Sequence, residues 1–135
     1  MSFRAYAHTQ QDLETPSMTE YRALAKVTGK MAETANEGGQ KLIEACFDNN
    51  KLWNIFQADL IHPENRLPEN VKAGLISLSM WVQRYTDEVM AGRASVQPLI
   101  QVNRTIMEGL QDSASRNAPS SSFVEVDPES ARVTA

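Results

Sequence analysis

The sequence has few of the residues that enzymes and metalloproteins place in their active sites. It holds one cysteine and two histidines among 135 residues, and His8 and His62 lie far apart in the chain. Metal sites need such ligands clustered at short spacing, and nucleophilic catalysis needs a serine or cysteine beside a base. The sequence offers neither arrangement, and it has no phosphate-binding glycine loop. We therefore predict a protein that is not an enzyme and uses no metal or other cofactor.

Positive charge is also scarce. The formal net charge is −4, whereas proteins that coat nucleic acid usually carry a clear basic excess. Arg22, Lys26 and Lys30 recur at every fourth residue, but a short basic line supplies little affinity for phosphates and no aromatic side chains interleave it. A solvated helix face is the favoured interpretation, so nucleic acid is not an expected partner.

Long hydrophobic runs are absent as well. No stretch approaches the roughly 18 apolar residues that read as a membrane span, so membrane insertion is not expected. The first residues hold no apolar segment of signal-peptide length, and we expect a cytoplasmic protein. Cys46 lies in an apolar run with Leu42 and Phe47, which favours a reduced, buried thiol.

Helical periodicity is what the sequence does have. Apolar residues recur at spacings of three and four along several segments, and the alternation typical of strands does not occur. Four main helices are predicted near residues 17–37, 40–61, 68–91 and 95–111, and a short N-terminal helix from Phe3 to Leu13. The polar run Asp48-Asn49-Asn50 is expected to weaken the second main helix. The predicted fold class is all-α, a small antiparallel helical bundle.

The segment 68–91 has the most regular pattern. Six apolar residues alternate four and three apart, as in a helix–helix seam. They are Val71, Leu75, Leu78, Val82, Tyr85 and Val89. Ile76, Met80 and Trp81 widen the apolar surface, so we expect this helix to be central in the bundle. The surplus surface is expected either to be covered by a neighbouring helix or to form a groove for a partner.

Helical periodicity stops near Gln111. Residues 112–135 are rich in serine, alanine and proline and poor in apolar residues. Such a segment cannot bury enough surface to offset its ordering entropy. The sequence therefore predicts a helical domain at residues 1–111 and a disordered tail at residues 112–135.

Six short sequences are distinctive in their order and spacing. They are Thr19-Glu20-Tyr21-Arg22, Leu52-Trp53, Asn65-Arg66-Leu67-Pro68, Ser77-Leu78-Ser79-Met80-Trp81-Val82, Pro98-Leu99-Ile100 and Asn103-Arg104-Thr105-Ile106-Met107-Glu108-Gly109-Leu110. Together they resemble the FlaF family of flagellar biosynthesis proteins. The resemblance covers about residues 1–111, and the last sequence is the most specific because both order and spacing fit. Proteins of this family occur in alphaproteobacteria, support flagellin production and export, oppose the translational repressor FlbT and associate with flagellin.

The resemblance implies a cytoplasmic secretion chaperone that binds flagellin, through the amphipathic helices at the flagellin termini. One alternative is a post-transcriptional regulator that acts through FlbT or flagellin mRNA without binding flagellin. Another is a structural subunit of a helical assembly.

Interface energy usually concentrates in a few aromatic and arginine residues. The predicted partner-binding residues are Trp81, Tyr85, Asn103, Arg104 and Met107. Asn103 interrupts an apolar stripe, so its amide needs a hydrogen-bond partner, either inside the bundle or on a bound helix. Trp53 and Phe56 are expected to belong to the core.

Overall fold

The computed structural model describes residues 16–117, including the side chains of residues 18–112. Its helices are α1 (Pro16–Thr34), α2 (Gly39–Ile61), α3 (Glu69–Met90) and α4 (Gln97–Asn117). No strand occurs in this part of the chain, and the predicted all-α class with four main helices is confirmed. The helix predicted from Phe3 to Leu13 lies outside the described residues, as do residues 118–135 of the predicted tail. Helix α4 continues to Asn117, six residues past Gln111. The division of the chain into a domain at residues 1–111 and a tail at residues 112–135 stays a prediction.

The ends of the helices follow from local residue chemistry. After α3, Gly92 has a φ of 79°, a left-handed conformation that glycine adopts without a Cβ clash. The Gly92 N–H donates to Val89 O at 3.0 Å and the Arg93 N–H donates to Glu88 O at 2.9 Å, the paired bonds of a Schellman motif. At the start of α4, Ser95 Oγ accepts from the Gln97 N–H at 3.1 Å. This bond stabilises the turn that leads into α4.

The packing order differs from the one predicted. Helix α1 packs against both α2 and α4, and α2 also packs against α3, whereas α3 and α4 touch only slightly. Helices α1 and α2 are therefore central, and the expectation that α3 is central is wrong. Helix α3 is held on α2 in part by Gln83 Nε2, which donates to Asn54 Oδ1 and to Gln57 Oε1, each at 2.7 Å. Among the described helices, α2 alone covers α3 extensively, and Met80 of α3 is 44% exposed.

The main apolar core lies at the end of the bundle where α1 and α3 finish and α2 and α4 begin. Its members are Met31, Ala45, Cys46, Trp53, Val82, Val89, Val96, Leu99 and Ile100. Cys46 is buried as predicted, and burial raises the pKa of its thiol from 9.0 to about 11 because a thiolate is poorly solvated there.

A polar layer crosses the middle of the bundle. Asn103 of α4 accepts from the indole N–H of Trp53 at 2.9 Å and donates to Asn49 Oδ1 at 2.7 Å, both on α2. It also donates to Thr28 Oγ1 of α1 at 3.0 Å. Helix α2 continues without a break through Asp48-Asn49-Asn50, because the side chain of Asn49 turns into this layer and bonds Asn103 there.

Candidate functional site

A groove opens at the end of the bundle opposite the main core, between the first half of α3 and the second half of α4. Its volume is about 440 Å³, within the range of pockets that bind ligands. Most of its lining is apolar and comes from every helix. The lining residues are Glu20, Leu24, Trp53, Phe56, Asp59, Leu60, Asn65, Arg66, Leu67, Val71, Leu75, Ile106 and Leu110. We call this feature the α3–α4 groove.

The α3–α4 groove exists because the seam of α3 is covered along only part of its length. Towards the end of α3, Val82 is 0% exposed and Val89 is 6% exposed. Towards its start, Val71 is 39% exposed and Leu75 is half-buried. On the opposite wall, Ile106 and Leu110 of α4 are also half-buried. The first half of the α3 seam thus becomes one wall of a groove, whereas Ile76, Met80 and Trp81, the surplus apolar surface expected from the sequence, do not line it.

The loop between α2 and α3 forms one end of the groove and is held in place by Asn65. The Asn65 side chain is 6% exposed. Its Nδ2 donates to Asp59 O at 3.2 Å, and its Oδ1 accepts from the Leu67 N–H at 3.0 Å. These bonds fix the backbone on both sides of Arg66 and leave Leu67 41% exposed beside the apolar lining.

The composition of the groove fits recognition of an apolar surface. Amphipathic helices bind by laying residues spaced at i, i+3 or i+4, and i+7 into hydrophobic grooves of this kind. Residues 16–117 contain no group of three or more His, Cys, Asp or Glu residues that could hold a metal ion. The arrangement provides apolar contact along its length and polar groups at its edge.

Two of the predicted partner-binding residues lie together on α3 but outside the groove. The rings of Trp81 and Tyr85 stack with centroids 4.9 Å apart and planes at 16°. Both are half-buried against the core. The Tyr85 hydroxyl donates to Ser95 O at 2.8 Å. This pair therefore closes the bundle next to the α3–α4 connection, where part of each ring remains accessible.

The other three predicted residues lie on different parts of α4. Asn103 is 0% exposed, and its amide group makes its hydrogen bonds inside the polar layer, so in this fold a partner cannot reach it. Met107 is half-buried, with its Sδ 3.9 Å from Thr28 Oγ1 of α1, while Arg104 is exposed. The structure does not join the five into one surface, and partner contacts by the four accessible ones stay a prediction.

Trp53 is 2% exposed and belongs to the core as expected. Phe56 makes an edge-to-face contact with it, at a centroid distance of 5.6 Å, but also lines the α3–α4 groove.

The groove residues were visible in the sequence as parts of two apolar stripes. Val71 and Leu75 continue the seam of α3, and Ile106 and Leu110 continue the stripe of α4. Periodicity shows that these residues share a helix face, but it does not show which part of that face a neighbour covers. These residues are identified as groove walls only by the structure, in which α3 and α4 contact each other only slightly.

No described helix combines the length and apolar content needed to cross a membrane. The family model described as "Flagellar protein FlaF" matches residues 2–110. The matched residues include α1 to α3 and α4 as far as Leu110, and therefore all the residues that line the α3–α4 groove. No curated protein and no solved structure matches the chain.

Proposed function

The chain belongs to the FlaF family of flagellar proteins, and from this premise we propose that it is a cytoplasmic secretion chaperone that binds flagellin and promotes flagellin synthesis and export. Membership of the family confirms the resemblance noted in the sequence. The proposal adds the partner, the compartment and the mode of action.

The α3–α4 groove is the observation that carries this proposal. The terminal helices of flagellin are amphipathic and polymerise when exposed, so a chaperone must cover their apolar faces. A groove with apolar walls on α3 and α4 can accept one such helix. Leu67 and Val71, about two-fifths exposed, are available for the contact at the loop end.

The expected strength of this contact suits a chaperone that must release its cargo. Only a few apolar side chains of the groove are available as anchors, and their burial must offset the translational and rotational freedom lost on association. We therefore expect the groove alone to support at most a weak and reversible complex, which the contacts proposed for Trp81, Tyr85, Arg104 and Met107 would strengthen.

This function needs binding and release and no bond-making step. We therefore propose that the protein is not an enzyme and works without a cofactor. Elemental analysis of the purified protein should find no stoichiometric metal, and one metal per chain would contradict this part of the proposal.

The alternative function is regulation of flagellin expression through FlbT or flagellin mRNA, without direct binding of flagellin. One observation favours it, namely that Arg22, Lys26 and Lys30 all lie exposed along α1. Contacts of this kind contribute affinity that falls steeply with salt. RNA binding by this line alone should therefore be weak at physiological ionic strength.

The experiment that tests the proposed function compares three partners side by side. The purified full chain is presented with flagellin, with FlbT and with flagellin leader RNA at physiological salt. The chaperone function predicts retention of flagellin. Tight, sequence-selective retention of the leader RNA, or retention of FlbT without flagellin, would favour the regulator instead.

A further inference from the structure

We propose that Arg66 selects the helix bound in the α3–α4 groove by pairing with a carboxylate beside its apolar stripe. This inference rests on the proposed function, since it specifies the charge pattern of the partner at the same site. It commits the groove to one occupant, an amphipathic helix with an acidic residue on the flank of its apolar face.

Arg66 differs from the other polar residues of the groove in having no partner within the described chain. Glu20 and Asp59 each already have an interaction within the protein. Asn65 uses its side-chain amide to hold the loop. Arg66 is exposed and makes no hydrogen bond or ion pair with residues 16–117. The charged group of the described lining that is available to a ligand is therefore the positively charged guanidinium of Arg66.

The backbone that carries Arg66 is held in position before any partner arrives. Asn65 bonds the end of α2 on one side and the Leu67 N–H on the other. Pro68 then fixes the start of α3, where Pro68 O accepts from the Lys72 N–H at 2.9 Å. Only the arginine side chain has to order on binding, which limits the entropic cost.

A guanidinium is well suited to recognise a carboxylate. It presents several N–H donors in a planar fork that matches the two oxygens, and such charge-assisted pairs are short and directional. Because Leu67 and Val71 border the same end of the groove, apolar anchors and the ion pair act on adjacent turns of one bound helix. The pair then sets the register and direction in which that helix lies.

The test uses the full chain and synthetic peptides that span the N-terminal and C-terminal helices of flagellin. We expect Arg66→Glu to weaken binding of one peptide by about tenfold at low salt, because it replaces an attractive charge at the rim of the interface by a repulsive one. Replacing the matching acidic residue of that peptide by lysine should restore binding to Arg66→Glu and weaken binding to the parent. Arg84→Glu is the matched control, because Arg84 is exposed on α3 and does not line the groove. It should bind both peptides like the parent.

The possible failures are distinguishable. If Arg66→Glu binds like the parent while Val71→Asp does not, the charge selection is wrong and the proposed function stands. If the parent binds no flagellin peptide and no intact flagellin, the proposed function fails and the inference fails with it.

Hydrogen exchange of residues 69–75 identifies a different occupant. We expect these amides to exchange more slowly with the selected peptide bound than in the free chain. Strong protection in the free chain that the peptide does not change would overturn the inference, since a second copy or another part of the chain would then fill the groove.

Discussion

Replacing Asn103 by alanine tests whether the polar layer is built as the structure shows. The Asn103 amide oxygen accepts from Trp53 Nε1, and its nitrogen donates to Asn49 and Thr28. All four residues lie in the interior, with exposures of 0% for Asn103 and Asn49, 2% for Trp53 and 5% for Thr28. Water is therefore not at hand to replace the lost bonds.

The expected destabilisation is large. Asn103→Ala leaves the Trp53 N–H without an acceptor and Asn49 Oδ1 without a donor, and each buried orphan costs about 1–3 kcal/mol. Thr28 Oγ1 also loses a donor, but its hydroxyl keeps its contact with Met107 Sδ, so we assign it little. The sum is roughly 2–6 kcal/mol, against a total stability of about 5–15 kcal/mol for a domain.

Urea denaturation followed by far-UV circular dichroism measures this change. Arg104→Ala is the matched control, because Arg104 is the next residue of α4 and is exposed, and it should alter stability by less than about 0.5 kcal/mol. Trp53→Phe removes the indole N–H, so combining it with Asn103→Ala should cost less than the two single changes added together. The reasoning is refuted if Asn103→Ala behaves like Arg104→Ala, or if the two core changes are strictly additive.

Three further predictions concern the thiol, the surface of α4 and the end of the domain. Cys46, whose pKa burial raises from 9.0 to about 11, should react with a thiol reagent slowly in the folded chain and quickly in denaturant. Because the folded pKa is the higher one, stability should be full below about pH 9 and fall as the pH rises towards 11, and Cys46→Ala should remove this part of the slope. Arg104→Ala and Met107→Ala should each lower flagellin affinity by on the order of 1–2 kcal/mol without loss of helical circular dichroism, and unchanged affinity in both would rule out that surface. Ending the chain after Gln111, which is exposed, should shift the thermal midpoint little, whereas a collapse of helicity would place the later residues in the fold.

The elements of the fold could be predicted from the sequence because their signals are local. Gly92 ends α3, and the Ser95 hydroxyl accepts from the Gln97 N–H at the start of α4. Both effects depend on residues within one turn. The burial of Cys46 follows from its apolar neighbours. The same holds for Trp53, which recurs at helical spacing with Leu42, Cys46, Phe56 and Leu60 in one apolar stripe of α2.

The contacts between helices could not be predicted in the same way. Asn103 could have bonded either a bound helix or the bundle, and only the positions of Trp53, Asn49 and Thr28 around it show that it bonds the bundle. The burial of Asn49 depends on the same hydrogen bonds. From its polar neighbours alone, the side chain of Asn49 would be expected at the surface. The exposure of the first half of the α3 seam likewise depends on the distance between α3 and α4, which the periodicity of apolar residues does not predict.

Flagellin affinity of two α3 variants tests the central claim most directly. Val71 lines the groove and is 39% exposed, while Met80 is 44% exposed and does not line it. They lie on opposite faces of α3, since their separation is two and a half turns at about 3.6 residues per turn. Either side chain can be replaced by aspartate without burying a charge, and circular dichroism can show that both variants keep the fold.

Titration calorimetry of flagellin into the parent, Val71→Asp and Met80→Asp then measures the contribution of the groove. A carboxylate among the apolar anchors should weaken binding at least about tenfold, since an unpaired charge would be desolvated there. We expect that loss for Val71→Asp and parental affinity for Met80→Asp. Equal affinity in all three proteins would contradict binding of flagellin in the α3–α4 groove.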